Sequence, residues 1–309
     1  MIYFIRKSFY FEERIMRIDE ILKSGKISLS FEVFPPKTDS SFESVKKAVG
    51  EIAGMYPSFM SVTYGAGGGT SEYTLNIAKS INDIYSVPSL AHLTCISSTK
   101  KTVEKRIEEI KNADIENILA LRGDIPTDGK FGTDFLPEYR HATDLIEDIK
   151  KHGDFCIGCA CYPETHPESA SREEDISYLK VKQDAGCNFF TTQMFFDNDI
   201  FYKFYDDALN AGINVPVAAG LMPITNIKQL ERASTLSNSF IPDKLRRIAD
   251  KFGSNPTAMR QAGIYYCIDQ IFDLIASGVT NIHIYSMNKP DCARMIKNAV
   301  DPLRGVGDE

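Results

Sequence analysis

The side chains best suited to chemistry in this 309-residue chain lie where short apolar runs end. Glu32 lies in one such run, Ser30–Phe34, and the two-residue side-chain period of a strand puts it on the same face as Ser30 and Phe34. If that face points to the interior, desolvation favours the protonated carboxyl group, which then suits general-acid chemistry near neutral pH. The residues alone leave a second interpretation open, a structural ion pair between Glu32 and a buried Lys or Arg.

Three further motifs carry side chains that can bind a ligand. In Leu121–Asp124, an Arg and an Asp flank Gly123 and could hold a phosphate and the edge of a heteroaromatic ring, or pair with each other. The run Tyr162–Glu168 is stiffened by two prolines and presents a Tyr, a His and two Glu side chains. Gln193, in Thr192–Asp197, has an amide that both donates and accepts hydrogen bonds, which suits a pterin or a nicotinamide carboxamide.

For the remaining candidate residues, a structural role is a stronger interpretation than a functional one. The glycines of Gly65–Gly69 let backbone N–H groups approach a ligand, but they form neither a dinucleotide fingerprint nor a phosphate-binding loop. His92, isolated in an apolar run, is typical of a satisfied interior histidine. Cys156, Cys159 and Cys161 lie in one run without a second cysteine pair or a histidine cluster, so we expect small buried thiols and no metal site.

These residues must be positioned by eight apolar runs that alternate with amphipathic stretches from Ile27 onward. Such a pattern predicts a parallel sheet covered by helices, and eight units favour a single (β/α)8 TIM barrel over a doubly wound open sheet. The barrel should comprise residues 27–309, after an N-terminal extension, residues 1–26, with a helix near Phe11–Ser24. The predicted strands are Ile27–Phe34, Phe59–Tyr64, Ser89–Cys95, Asn117–Leu121, Phe155–Tyr162, Phe189–Phe195, Val215–Leu221 and Asn281–Ser286.

Composition narrows the class of protein. With 43% hydrophobic and 25% charged residues the chain can build a sizeable core, and a net charge of −7 argues against nucleic acid as a partner. An anionic small molecule remains compatible, because helix N-termini bind anions locally. The odd count of seven cysteines indicates reduced thiols, and no apolar stretch approaches the ~20 residues of a membrane span. We therefore expect a cytoplasmic protein without a membrane segment.

The chain resembles the methylenetetrahydrofolate reductase family in motifs that occur in the family's order. The resemblance extends from about Ser28 to Asn288, and the length of the chain predicts the short bacterial type, which consists of the catalytic barrel alone. The motifs are Phe31–Pro36, Thr63–Gly68, Leu121–Asp124, Tyr162–Glu168 and Thr192–Asp197.

The resemblance implies a ping-pong reaction through non-covalently bound FAD. NADH or NADPH reduces the flavin and leaves, and 5,10-methylenetetrahydrofolate then accepts the hydride to become 5-methyltetrahydrofolate. Glu32 matches the acid that protonates N10 of the folate, and Asp124 the residue that tunes the flavin and the pterin. Gln193 matches a residue that contacts the nicotinamide and then the pterin, and Gln229 another position on the folate side.

The resemblance also implies a set of FAD contacts, in which Arg122 and Lys182 offset the charge of the pyrophosphate. Two positions depart from the family. Lys289 stands where well-known members carry Arg and cannot make the same bidentate contact with a folate carboxylate, and His141 stands where others have Tyr. The positions that match FAD contacts are Thr63, Tyr64, Ala66, His92, Arg122, Gly123, Asp124, Ala142, Tyr162, His166, Asp175 and Lys182.

Two other functions fit the same residues. One is a pterin-binding barrel that transfers methyl groups without a flavin. The other is a flavin subunit of a larger complex in which a partner subunit supplies the electrons. For the reductase we expect a homo-oligomer.

Overall fold

The computed structural model describes residues 17–36, 39–64, 71–124, 137–236 and 239–305. Eight parallel strands pair in chain order, and the last pairs back to the first, so the sheet is a closed barrel. The predicted (β/α)8 barrel is thereby confirmed over the open sheet. The strands are β1 (Ser28–Val33), β2 (Met60–Val62), β3 (Ser89–Thr94), β4 (Asn117–Leu121), β5 (Cys156–Cys161), β6 (Phe189–Thr192), β7 (Val217–Leu221) and β8 (Asn281–Tyr285).

Helices cover the outside of this barrel, and several begin at a residue whose side chain accepts a backbone N–H bond. Thr99, Ser171, Asp197 and Asn255 are such caps. Short 3-10 helices lie at Asp39–Ser41 and Asp301–Arg304. The α-helices are α1 (Ile18–Lys23), α2 (Phe42–Ala53), α3 (Ser71–Tyr85), α4 (Lys100–Asn112), α5 (Ala142–His152), α6 (Arg172–Ala185), α7 (Asn198–Asn210), α8 (Ile227–Leu236), α9 (Asp243–Phe252), α10 (Pro256–Ala276) and α11 (Pro290–Val300).

Side chains alternate between the two faces of each strand, and this divides the core into two parts. On β1, Leu29, Phe31 and Val33 belong to the large apolar cluster between the strands and the helices. A smaller cluster combines strand residues of the other parity with Ile18 and Leu22 of α1. Its strand members are Leu90, Leu119, Cys156 and Phe189, together with Phe59 just before β2.

Helix α1 is tied to the amino-terminal ends of the strands. The backbone N–H of Ile18 donates to Asn117 Oδ1 at 2.9 Å, and Asn281 Nδ2 donates to the carbonyl of Leu22 at 3.2 Å. Since these asparagines begin β4 and β8, α1 closes the end of the barrel opposite to the strand carboxyl ends. Residues 1–16 lie outside the described residues, so the predicted helix Phe11–Ser24 is seen only as Ile18–Lys23.

Seven of the eight strands are shorter than predicted, and the difference is largest, three residues, at β2 and β6. Phe189–Phe195 was expected as one strand, but β6 ends at Thr192, and Phe195 packs with Phe201 of α7, ring centroids 5.1 Å apart. The apolar run therefore continues into the loop and the core rather than along the strand. Likewise β2 is Met60–Val62 rather than Phe59–Tyr64.

The described residues contain no helix that is both long and apolar enough to cross a membrane. In the same part of the chain, no three His, Cys, Asp or Glu side chains come together as a possible metal site. All seven cysteines are free and buried, as the sequence predicts for small interior thiols.

Candidate functional site

The carboxyl group of Glu32 lies inside the barrel near the carboxyl ends of the strands. Its Oε2 is 3.4 Å from Ser61 Oγ, 3.5 Å from His92 Nε2 and 4.0 Å from His283 Nε2. The inward orientation, which the sequence alone left as a condition, is therefore present. Among the described residues Glu32 forms no ion pair with a Lys or Arg, so the structural alternative is not found there.

His283 is the partner of Glu32 that sequence reasoning missed. It lies on β8, its ring stacks on Phe59 at a centroid distance of 5.7 Å, and its side chain is 2% exposed. Nδ1 is 2.8 Å from Ser30 Oγ, and Nε2 is 3.2 Å from Ser61 Oγ. The available signal was the alternation of His283 and Tyr285 within an apolar strand.

His92 on β3 is buried, and its Nε2 has no hydrogen-bond partner among the residues that the structure describes. Burial lowers the pKa of His92 to about 4, with nearby His283 acting in the same direction and Glu32 opposing it. At neutral pH His92 is therefore an uncharged imidazole beside Glu32. The sequence-based interpretation of a satisfied interior histidine does not hold for this nitrogen.

Tyr285 lies two residues after His283 on β8, and its side chain crosses the neighbouring strand β7 to reach β6. Its hydroxyl donates to the carbonyl of Thr192 at 2.5 Å, and burial raises its pKa well above the usual value. This crossing depends on Gly220, because a Cβ there would lie 2.8 Å from the Tyr285 hydroxyl and 2.3 Å from the Thr192 carbonyl oxygen. The side chain of Tyr285 is thus held in one position on the inner side of the barrel.

Arg122, at the end of β4, forms a bidentate ion pair with Glu168. Nη1 and Nη2 lie 2.5 and 2.7 Å from the two carboxylate oxygens, and this contact lowers the pKa of Glu168. The other pairing left open by the sequence, Arg122 with Asp124, is not the one formed. Gly123 between them has φ +83°, a conformation that favours glycine, and Asp124 is exposed.

The loop after β5 brings several predicted cofactor residues together. The rings of Tyr162 and His166 meet edge to face at 4.6 Å, and the backbone N–H of His166 donates to Asp175 at 3.0 Å. Burial lowers the pKa of His166, while the charges of Glu168 and Asp175 oppose this effect and those of Arg122 and Lys182 add to it. Lys182 Nζ donates to the carbonyl of Ala160 at 3.0 Å, on the strand β5 that leads into this loop.

A second polar group lies where β7 and β8 end. Lys289 Nζ donates to Thr225 Oγ1 at 2.6 Å, and that hydroxyl donates to Gln229 Oε1 at 2.8 Å. The backbone N–H of Thr225 also donates to Gln229 Oε1, at 2.8 Å. Thr225 thus connects Lys289 and Gln229, two of the residues predicted to bind the substrate. The sequence did not predict Thr225, because a single threonine has no recognisable motif.

The other predicted residues are more dispersed. Gln193 follows β6, where its Oε1 accepts the backbone N–H of Met194. Thr63 continues β2, its backbone N–H donating to Val33, whereas the ring of Tyr64 packs against the large apolar cluster. Ala142 is the buried first residue of α5. Ala66 lies outside the described residues.

Asn288 fixes the loop that leaves β8 against the end of β1. Its Nδ2 donates to the carbonyl of Phe34 at 2.8 Å, and its Oδ1 accepts the Phe34 N–H at 3.0 Å. The hydroxyl of Ser286 donates to the carbonyl of Glu32 at 2.6 Å. These bonds hold the Glu32 backbone from the β8 side.

Comparison with solved structures agrees with the barrel. An uncharacterized protein from Clostridium thermocellum, described as binding two copies of 5-methyl-5,6,7,8-tetrahydrofolic acid, matches with a TM-score of 0.64 at 16% identity. The match covers 93% of this chain and 100% of that one. The tryptophan synthase α-subunit of Pyrococcus furiosus matches with a TM-score of 0.53 at 12% identity, over 91% of this chain and 99% of that one. At these identities the likeness establishes the fold.

Sequence comparison establishes the family. The 5,10-methylenetetrahydrofolate reductase of Escherichia coli K12 is 34% identical over 91% of this chain and 93% of its own length. Methylenetetrahydrofolate reductase (NADH) 1 of Zea mays is 35% identical over 95% of this chain, which spans about half, 50%, of that longer protein. The family model described as methylenetetrahydrofolate reductase matches residues 17–301. The chain belongs to the methylenetetrahydrofolate reductase family.

Proposed function

We propose that this protein reduces 5,10-methylenetetrahydrofolate to 5-methyltetrahydrofolate, with FAD as cofactor, NADH or NADPH as electron donor and Glu32 as the general acid. The observation that carries the proposal is a half-buried carboxyl group in the barrel mouth with no Lys or Arg partner among the described residues. A carboxyl group in this position, with no cation to neutralise it, is placed to donate a proton to a substrate nitrogen that enters the mouth.

The residues around Arg122 fit an anionic cofactor. Arg122 ends β4, and Lys182 of α6 donates to the carbonyl of Ala160 on the neighbouring strand β5, so both cations are available to a diphosphate on an otherwise acidic protein. Glu168 now accepts both guanidinium N–H groups and is 57% exposed, so it can turn away to solvent. When bound, FAD supplies hydride transfer from the dinucleotide to the folate.

The chain's own residues would bind and orient the two substrates and protonate the folate. Gln193 and the exposed Asp124 follow β6 and β4 at the mouth, where they would contact the ring of either substrate. Gln229 has its oxygen occupied by two donors from Thr225, so its NH2 group is the end left to contact a ligand acceptor. Lys289, joined to the same threonine, would approach the acidic tail of the folate as a point charge.

Separate measurement of the two half-reactions tests the role of Glu32. Glu32→Gln should reduce reoxidation of the flavin by methylenetetrahydrofolate at least about 100-fold, the usual contribution of a general acid, while reduction of the flavin by the dinucleotide stays near normal. Glu51→Gln, the same change on the outer surface of α2, is the matched control. If Glu32→Gln reoxidises with folate at the wild-type rate, Glu32 is not the acid.

The colour of the purified protein separates the proposal from its two alternatives. A yellow protein that is bleached by NADH or NADPH supports the reductase, and the faster dinucleotide identifies the donor. A yellow protein that neither dinucleotide bleaches indicates a flavin subunit that takes electrons from a partner. A protein unable to bind FAD indicates methyl transfer without a flavin.

A further inference from the structure

The loops that follow β7 and β8 are joined by one buried hydroxyl, that of Thr225. Lys289 Nζ donates to Thr225 Oγ1 at 2.6 Å, and Thr225 Oγ1 donates to Gln229 Oε1 at 2.8 Å. Thr225 is 5% exposed, whereas Lys289 and Gln229 are half-buried. We call these three residues the Thr225 group. Because Thr225 and Lys289 each follow the carboxyl end of a strand, the group lies at the same end of the barrel as Glu32.

The direction of each hydrogen bond in the Thr225 group is fixed by its donors. An ammonium group only donates, so the Thr225 hydroxyl accepts from Lys289 and its single hydrogen goes to Gln229. The backbone N–H of Thr225 also only donates, and it does so to the same atom of Gln229 at 2.8 Å. That atom is therefore the amide oxygen of Gln229. Both Gln229 and Lys289 thus offer N–H groups to a ligand.

The backbone on both sides of the Thr225 group is supported by the rest of the barrel. A Cβ on Gly263 of α10 would collide with the carbonyl oxygen of Ile224, so only glycine lets this helix approach the loop that carries Thr225. On the other side, the side chain of Asn288 forms two hydrogen bonds with the backbone that follows β1. Thr225 and Lys289 therefore meet between two loops that are each held in place.

Lys289 forms no ion pair among the residues that the structure describes. Asp291, the nearest acid in the sequence, pairs with Arg260 instead and accepts the backbone N–H of Cys292. The ammonium group of Lys289 has three hydrogens, of which one goes to Thr225. A lysine is a point charge on a flexible stem, so a bond from its ammonium group to a buried hydroxyl fixes where that charge lies. The charge of Lys289 is thus held ready for an anionic ligand.

We infer that Thr225 is a positioning residue, whose hydroxyl holds the Lys289 ammonium group where it meets the acidic tail of the folate. The inference rests on the proposed reductase function. Without the hydroxyl, the Lys289 side chain would be ordered only when folate binds, and this ordering lowers affinity. Gln229 would keep its bond from the Thr225 backbone N–H and therefore its orientation. The hydroxyl thus acts through Lys289, on the carboxylates of the ligand.

Titration calorimetry of the holoenzyme with 5-methyltetrahydrofolate tests the inference without turnover. Thr225→Val removes the hydroxyl and keeps the shape of the side chain, and it should raise the Kd about 10-fold, the size of one net hydrogen bond. Thr225→Ala removes the same hydroxyl and should give the same result. Thr225→Ser keeps the hydroxyl and should bind as the wild type does. Thr235→Val, at an exposed hydroxyl of α8, is the matched control and should leave the Kd unchanged.

A second ligand without the charged tail distinguishes positioning from a general defect of the site. In this diamide, both glutamate carboxyl groups of 5-methyltetrahydrofolate are converted to amides, so the ring is kept and the partner of Lys289 is removed. The wild type and Thr225→Val should bind the diamide equally, whereas a merely structural role would weaken both ligands alike. Lys289→Met should weaken binding of the acid, and adding Thr225→Val should change that Kd by less than about twofold, because the hydroxyl acts through Lys289.

The inference is overturned if Thr225→Val binds 5-methyltetrahydrofolate as tightly as the wild type, or if it loses the same factor with the diamide. It is also overturned if Thr225→Ser is as weak as Thr225→Val, or if the losses in Thr225→Val and Lys289→Met add in full. Failure of the proposed function has a different result. A wild type that binds neither ligand contradicts the reductase and the inference together, whereas a wild type that binds both, with Thr225→Val unaffected, contradicts the inference alone.

Discussion

At the scale of single residues, burial makes His92 sensitive to acid. The pKa of His92 is lowered from 6.5 to about 4, so the unfolded chain binds a proton at His92 between these values and the folded chain does not. The free energy of unfolding should therefore fall as the pH drops from about 6.5 to about 4, and be fully retained above 6.5. A shift of this size corresponds to about 3 kcal/mol.

Urea denaturation at several pH values measures this effect. His92→Gln should flatten the acid side of the stability profile relative to the wild type, because glutamine has no proton to bind. His152→Gln, at the end of α5, serves as the control and should leave the slope almost unchanged. Parallel profiles for the wild type and His92→Gln would show that His92 is not the group responsible.

The site residues differ in how far the sequence could predict them. Glu32 could be placed on one face with Ser30 because the two-residue period of a strand is a local property, but the period does not say which face points into the barrel. His283 could not be assigned to Glu32, because its partners Ser30 and Ser61 are 253 and 222 residues away in the chain. Arg122 was found, but its pairing with Glu168 rather than Asp124 depends on loop geometry that no local pattern specifies.

At the scale of elements, α1 serves as the closure of the barrel. Leu22 is 4% exposed and packs in the small cluster with Ile18 and the inward residues of the strands. Leu22→Ala should lower the free energy of unfolding by about 2–4 kcal/mol, as removal of a buried leucine usually does. Glu20→Ala, on the exposed side of the same helix, should change it by less than about 0.5 kcal/mol.

Chemical denaturation of both variants gives these values, and titration with FAD supplies the functional control. Because α1 lies at the opposite end of the barrel from Glu32, FAD affinity should be the same in Leu22→Ala as in the wild type. A weaker affinity in Leu22→Ala alone would mean that the two ends of the barrel are coupled.

Elements were predicted better than their ends. All eight strands and the helices between them follow from hydrophobic periodicity, because covered parallel strands are apolar throughout. The predicted end of β6 was wrong. Phe195 and Phe196 are as buried as the strand residues before them, because a loop that packs in the core contains apolar residues just as a strand does. Burial alone therefore does not distinguish a strand from the loop that follows it.

At the scale of the whole molecule, the cysteines lie in different parts of the core. Cys156 belongs to the small cluster closed by α1, whereas Cys267 and Cys292 lie in the large cluster between strands and helices. Burial raises the pKa of Cys156 to about 12 and that of Cys292 to about 11, so neither forms the reactive thiolate readily in the folded protein. Their reaction with an alkylating reagent therefore requires that the surrounding structure opens.

Leu22→Ala should separate the two clusters. In the wild type, iodoacetamide should modify Cys156, Cys267 and Cys292 only as the molecule unfolds, because all three are buried. In Leu22→Ala, Cys156 should react first under native conditions, since the weakened α1 detaches without disturbing the outer helices, while Cys267 and Cys292 still await global unfolding. Peptide mass spectrometry over a time course measures each rate, with Glu20→Ala as the control. If the three thiols of Leu22→Ala react together, α1 does not open independently and the barrel unfolds as one cooperative unit.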